Sequence, residues 1–358
     1  MNLLGILAFI VLLSVIIIVH EFGHLLVAKH FGVYCHEFSL GMGPVLFQKK
    51  WKETTYSLRL IPFGGYVMMA GEEDGSQDEE MEWLKDLPED RKLSNKPTFQ
   101  KICVMLAGIF MNFLLAWALF VGISMAKGYT ESEPLPIVYD IVENSPADKA
   151  GLKKEDTIVK ATCGSESIEP ETNYDLLKFI QINHETLDLV IERDGKQITT
   201  KIAPQYDEKA QGYTLGYVVV SYLKEIPWYM SFIEGTKDLY SATMDVYSSL
   251  GMLFSGKALN QLSGPVGIMN ATAQTAQMGL LPYLSLMGLI SVNIGIFNLL
   301  PIPALDGGRV LILLIEKLLR RKINTKLIEN IIMISFVLLI GLMLFATYND
   351  ILRLTGMF

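Results

Sequence analysis

The sequence is poor in charge, has few cysteines and lacks any basic excess. Charged residues occupy 19% of its 358 positions while the AVILMFWYC set occupies 51%, and the mean hydropathy is +0.34. So little charge excludes an ordinary soluble protein and points to one that sits in a membrane. The 30 Lys and Arg are outnumbered by 38 Asp and Glu, a formal charge of −8, so nothing is left over to neutralise a phosphate backbone and no nucleic-acid partner is expected. Cys35, Cys103 and Cys163 form no C-x-x-C pair, which excludes a disulfide framework and a Cys-rich zinc site. Any metal must find His and carboxylate ligands.

What is abundant is apolar runs. Four stretches, 3–27, 102–126, 280–305 and 331–346, invite comparison with the about 20 apolar residues that span hydrocarbon, the last being the shortest. The first lacks a basic leader and an A-x-A-type cleavage site, so it reads as a retained anchor rather than a signal peptide. Lys29, Lys49, Lys50, Lys52 and Arg59, with Lys92, Lys96 and Lys101, fall between the first two runs. Arg309, Lys317, Arg320, Arg321, Lys322 and Lys326 fall between the last two. Both loops are therefore expected to be cytoplasmic, with both termini and the segment 127–280 outside.

The chain divides by pattern into 1–127, 128–205, 206–279 and 280–358. In the first part, Tyr56 to Val67 alternates and turns at Gly64-Gly65, which predicts a short hairpin, either dipping into the membrane or facing solvent. Residues 72–90 carry ten acids and one Lys and read as a solvated link. In the second part, a strand over 137–142, a capped helix at Ser145-Pro-Ala-Asp-Lys-Ala-Gly-Leu152, a helix over 173–181 and a hairpin over 187–202 turning at Asp194-Gly195 predict a small α+β domain. Its S-P-A…A-G-L…D-x-I run resembles a bacterial PDZ domain, a fold that accepts an extended peptide or chain end on a sheet edge; a spacer or size filter is the other reading. In the third part, Trp228, Phe232, Leu239, Met244, Tyr247, Leu250 and Phe254 predict an amphipathic helix at the membrane interface.

The chemistry concentrates at His20-Glu21-Phe22-Gly23-His24, an H-E-x-x-H motif. On a helix, four residues bring both imidazoles to one side, where they can bind one Zn²⁺. Zinc lowers the pKa of a coordinated water from 15.7 to about 7, and the adjacent Glu21 can take its proton and pass it to a leaving amine. One further protein ligand is wanted, and Asn298-Leu-Leu-Pro-Ile-Pro-Ala-Leu-Asp306-Gly-Gly-Arg309 supplies a carboxylate at matching depth beside helix-interrupting prolines. Three ionisable groups in apolar spans are costly unless they pair, line a wet cavity or hold a metal.

These two motifs, with Ser263-Gly-Pro-Val-Gly-Ile268, Phe38-Ser-Leu-Gly-Met-Gly-Pro44 and Pro62-Phe-Gly-Gly-Tyr-Val67, resemble the site-2 proteases, in particular their RseP/RasP branch, over almost the whole chain. The resemblance implies a polytopic α-helical membrane protein with four transmembrane helices, a cytoplasmic-side β-hairpin and an extracytoplasmic PDZ insert, in the inner membrane of a bacterium. It implies intramembrane proteolysis near the cytoplasmic face, with His20, His24 and Asp306 on zinc and Glu21 as acid/base. Asn298, Asn112 and the hairpin glycines Gly64 and Gly65 would contact the unwound substrate. Substrates would be single-span proteins already trimmed by another protease, such as anti-sigma factors and leftover signal peptides. Two features depart from the family pattern: Ile109 stands where relatives read Pro in A-G-P-x-x-N-F, and one PDZ domain stands where the RseP type carries two.

Two other function classes compete. A silent adaptor using only the PDZ-like insert would need none of Glu21, His20, His24 and Asp306. An ion or proton carrier would need more polar faces along its spans than the few Asn present, and leaves the hairpin unexplained.

Overall fold

The computed structural model describes residues 3–72, 82–131, 134–207, 212–254 and 263–354. Much of the acidic link, 73–81, lies outside the described residues. The chain forms two units, one of Met1–Ala126 with Tyr229–Phe358 and one of Lys127–Trp228 inserted between them.

Helix α1, Leu3–His30, is apolar on all sides but buries Leu12, Ile16, His20, Gly23 and His24, a stripe at helical spacing. Two long strands follow, β1 (Cys35–Trp51) and β2 (Thr54–Met69). Their tip is at Lys52, which takes φ 55°, and not at Gly64-Gly65 as the alternation suggested. Gly64, at φ 87°, marks instead a bend within β2. Residues Glu37–Leu40 of β1 face Thr55–Leu58 on one side and Gly65–Met68 on the other, so β2 wraps around β1. The far edge of 65–69 has no strand partner among the described residues. A short helix α2 (Glu82–Lys85) precedes α3, Thr98–Lys127, which buries Val104, Ala107, Gly108, Asn112, Ala116 and Phe120.

The inserted unit contains β3 (Tyr129–Glu131), β4 (Asp140–Ile141), α4 (Pro146–Lys149), β5 (Thr157–Cys163), β6 (Glu166–Ile168), α5 (Asn173–Ile182), β7 (Leu187–Arg193), β8 (Lys196–Ile202), β9 (Gln205–Asp207), β10 (Gly212–Thr214), β11 (Tyr217–Val218) and β12 (Leu223–Glu225). An antiparallel sheet ordered β6-β5-β7-β8 and α5 enclose Leu152, Ile158, Leu176, Ile180, Leu187, Leu189 and Ile191. The Asp194-Gly195 turn has φ 51° and 72°, the paired positive values that a two-residue hairpin with right-handed strand twist requires. Ser145 caps α4, and Thr172 and Asp175 form a capping box on α5. Strand β11 pairs with β4 and β12 with β3, so the unit runs on to Trp228, beyond the residue-205 edge of the sequence pattern.

Returning to the first unit, α6 (Met230–Phe254) buries Ala242, Val246 and Leu250 against Ala116, Phe120 and Ile123 of α3. Trp117 Nε1 donates to Thr236 Oγ1 at 3.0 Å. The expected interfacial helix thus lies along other helices, and Met244 and Tyr247 of the expected stripe face outward. Then come α7 (Pro265–Met278), α8 (Leu280–Leu299), α9 (Asp306–Leu319) and α10 (Thr325–Leu354). Asp350 of α10 accepts from the backbone of Gly264 at 2.9 Å and Gly267 at 2.7 Å, satisfying first-turn donors of α7 from across the fold. Helices α1, α3, α8 and α10 are long and apolar enough to cross a membrane. The third run breaks at Leu299: Leu300–Leu305, with Pro301 and Pro303, is a turn, and α9 starts at Asp306.

Candidate metal centre

Three elements converge. Helix α1 presents His20 and His24 toward α3, and α9 presents Asp306 from its first turn. Close approach is made possible by glycines. A Cβ on Gly23 would stand 2.5 Å from the carbonyl oxygen of Ala107 in α3 and 2.7 Å from Met111 Cγ. One on Gly108 would stand 2.7 Å from His20 Cε1 and 2.8 Å from His20 Nδ1. Below Asp306, a Cβ on Gly307 would lie 2.6 Å from the carbonyl oxygen of Leu300, and one on Gly308 would lie 2.5 Å from Pro303 N. The Asp-Gly-Gly sequence therefore lets α9 fold back tightly on the turn that follows α8.

The two imidazoles are held from behind. His24 Nδ1 donates to the carbonyl oxygen of Val104 at 2.7 Å, and His20 Nδ1 lies 3.2 Å from the side-chain amide of Asn112. Both Nε2 atoms face forward, 3.2 Å apart. Asp306 Oδ2 is 3.2 Å from His20 Nε2 and 3.5 Å from His24 Nε2. These separations match the edge of about 3.3 Å of a tetrahedron with metal–ligand bonds of about 2.0–2.1 Å. Asp306 Oδ2 is buried, yet no donor reaches it with hydrogen-bond geometry. A buried carboxylate oxygen with no donor, facing two imidazole nitrogens, fits a metal ligand. Among the described residues this is the group of His, Cys, Asp and Glu spaced to hold an ion.

The three side chains open on a cavity of about 300 Å³ that Glu21, Tyr66, Val67, Met68, Met69 and Arg309 also line. Glu21 of α1 and Val67 of β2 share the cavity wall. Gly65 brings β2 against α1: a Cβ there would stand 2.9 Å from the Ser39 carbonyl oxygen, 3.2 Å from Ile17 Cγ2 and 3.5 Å from Glu21 Cγ. An ion pair between Arg309 of α9 and Glu72, just beyond β2, borders the same cavity.

Polar contacts hold the strands in shape. Glu37 accepts from the Ser57 hydroxyl, from Arg59 at 2.8 Å and from Tyr66 Oη at 3.0 Å. Burial alone would raise its carboxyl, but those hydroxyls and the guanidinium hold it below the usual carboxylate range. Cys35, the buried first residue of β1, is pushed up to about 12 by burial and is a packing group, not a nucleophile.

Of the residues singled out in the sequence, His20, Glu21, His24 and Asp306 come together, and Gly65 adjoins them. Gly64, the residue before it, sits at the bend. Asn298 is half-buried in the last turn of α8. Asn112 is fully buried behind His20 and does not line the cavity. Sequence reasoning passed over Gly108, Val104 and the Arg309–Glu72 pair. Gly108 did leave a signal, since glycine inside a helix costs about 1 kcal/mol against Ala and is kept where something packs on it.

Residues 8–342 match the family described as peptidase family M50. The chain is 37% identical over 347 residues to a Clostridium perfringens protein named as a zinc metalloprotease, covering 95% of this chain and 96% of that one. It is 30% identical over 432 residues to a Staphylococcus aureus protein named in the same way, covering 98% and 99%. To the regulator of sigma-W protease RasP of Bacillus subtilis it is 30% identical over 422 residues, covering 98% of each.

Proposed function

Since the chain belongs to peptidase family M50, the site-2 proteases, and is a zinc metalloprotease, we propose that His20, His24 and Asp306 hold the zinc and that Glu21 is the general base and acid of peptide hydrolysis. The observation that carries this reading is the triangle of ligand atoms with a buried, donor-less Asp306 Oδ2. Bound there, zinc supplies Lewis acidity and brings the acidity of water close to neutral pH. Glu21 takes the proton of the attacking water and returns it to the leaving amine nitrogen as the peptide bond breaks. Its position beside a metal ligand and on the cavity wall supports that assignment.

The substrate we propose is the membrane segment of a single-span protein, cleaved after another protease has trimmed it. A transmembrane helix must unwind before its peptide bonds can be reached, and each unsatisfied backbone group in hydrocarbon costs several kcal/mol. The strand edge at Gly65–Met69, beside Glu21, offers replacement partners, and Asn298 is the side chain that would fix one substrate carbonyl. Four apolar helices support residence in a bacterial membrane. The lysine and arginine distribution supports cytoplasmic 28–101 and 306–326, with the inserted unit outside. We read that unit as PDZ-like, on the capped helix at Pro146 and the return of Tyr217–Val218 to pair with Asp140–Ile141, and assign it to screening trimmed chain ends. The name of the Bacillus subtilis relative motivates a membrane-bound anti-sigma factor as first substrate to try.

The test is cleavage of a tagged single-span reporter by purified wild type and Glu21→Gln, with zinc measured in both. Equal zinc and a fall in cleavage of about 10²–10⁴-fold are expected. Undiminished cleavage by Glu21→Gln would remove Glu21 from its role, and absence of zinc from the wild type in zinc-replete buffer would remove the metal-centre assignment.

A further inference from the structure

His24 and His20 are braced differently. Behind His24 stands a backbone carbonyl, which can only accept, so Nδ1 carries the proton and Nε2 keeps its lone pair. Behind His20 stands an amide with two ends. Asn112 Nδ2 lies 3.2 Å from His20 Nδ1, and Asn112 Oδ1 is buried with no donor. For His20 to give its Nε2 lone pair to a metal, Nδ1 must be protonated, and an N–H would then face an NH₂. A half-turn of the amide removes this clash: Oδ1 comes to the Nδ1 proton, and Nδ2 takes the place where Oδ1 was already unpaired. We propose that Asn112 is a positioning residue that holds His20 in its metal-binding tautomer, its amide oxygen accepting the Nδ1 proton as the Val104 carbonyl does for His24.

The location of Asn112 fits this role. The side chain is fully buried, out of reach of a peptide in the cavity. Its own backbone is pinned: Ser291 of α8 donates to the Asn112 carbonyl oxygen at 2.8 Å, and Gly295 of α8 packs so that a Cβ there would stand 3.6 Å from Asn112 Cβ. A metal-ligating histidine that donates its second nitrogen to a fixed acceptor gains orientation and basicity, and loss of such an acceptor lowers metal affinity about 10–100-fold. The inference rests on the reading of His20 as a ligand and extends it to α3.

The experiment is zinc affinity of the full-length protein in detergent, by chelator competition, for wild type, Asn112→Ala and Asn112→Asp. Ala removes the acceptor and is expected to weaken zinc about 10–100-fold; Asp keeps an acceptor oxygen and is expected to stay within a few-fold of wild type. Equal losses in both variants, or none in Ala, would overturn the proposal. Should either variant not fold, the zinc-loaded wild type labelled with ¹⁵N-histidine decides: two low-field, hydrogen-bonded Nδ1 protons, assigned to His20 and His24, support it, and a hydrogen-bonded proton on His24 alone overturns it. Wild type that binds no zinc would overturn the metal-centre reading itself, a failure distinct from zinc binding that is indifferent to residue 112.

Discussion

Gly108 of α3 lies flat against His20 of α1, so that a Cβ at residue 108 would fall 2.7 Å from the imidazole Cε1. The absent side chain leaves the room in which both rings stand. Gly108→Ala is expected to push the imidazoles off their common point, with a cost of about 1–3 kcal/mol typical of overpacking and a fall in zinc affinity. Thermal unfolding and chelator competition on the same sample check both, and unchanged zinc affinity would contradict the close packing.

Asp306→Asn should weaken zinc binding while leaving the fold in place, because a neutral amide is a poor substitute for a carboxylate ligand whose Oδ2 has no other partner. A chelator should abolish cleavage by the wild type and added zinc should restore it. Full zinc affinity in Asp306→Asn would contradict the assignment.

Gly65→Val is expected to separate function from metal. Its side chain would run into Ser39, Ile17 and Glu21, lifting β2 from α1. Cleavage should be lost at unchanged zinc content; a fully active variant would count against the strand edge as the substrate's partner.

Glu37→Ala removes the acceptor shared by Ser57, Arg59 and Tyr66. Leaving such donors unpaired costs about 1–3 kcal/mol, so hydrogen exchange over 64–69 should speed up and KM for the reporter should rise more than kcat falls. Exchange as slow as in the wild type would contradict the bracing role.

In the inserted unit, Asp156 is completely buried and accepts two 2.7 Å hydrogen bonds from Arg193 and one from Lys153 N. Burial alone would raise its carboxyl, but Arg193 holds it below the usual range. The stability this contributes is therefore complete above the unfolded value of about 3.9 and is lost as pH falls through the lower folded value. Limited proteolysis of the full chain should show 127–228 opening as the pH drops below about 4. Arg193→Ala, which strands a buried carboxylate, should cost about 3 kcal/mol and open the unit near neutral pH; equal protease resistance would contradict this.

Local rules made parts of this legible. The spacing of His20 and His24 needs only helical geometry, Asp194-Gly195 needs only turn chemistry, and the four long helices need only length and hydropathy. The path of β2 did not follow from alternation, because Gly64 bends the strand around β1 instead of closing a hairpin. The stripe on α6 was legible only in part: Leu250 and Leu239 pack toward α3 as expected, but the small residues Ala242 and Val246 share that face while Met244 and Tyr247 point outward. Packing across the bundle rewards close approach over bulk. Val104 and Asn112 lie 80 and 92 residues from the histidines they touch; Val104 leaves no mark in the local pattern, and Asn112 stood out only as a substrate contact, not as a neighbour of His20.

The inserted unit also has a consequence for biosynthesis. His20 and His24 precede it and Asp306 follows it, so a ribosome must finish the whole of 127–228 before the proposed third ligand exists. Until then the nascent chain carries the two imidazoles without Asp306. On the proposed ligand set, a product terminated before Asp306 lacks one of the three zinc-holding side chains and is expected to be inert, so the order of translation acts as a safeguard.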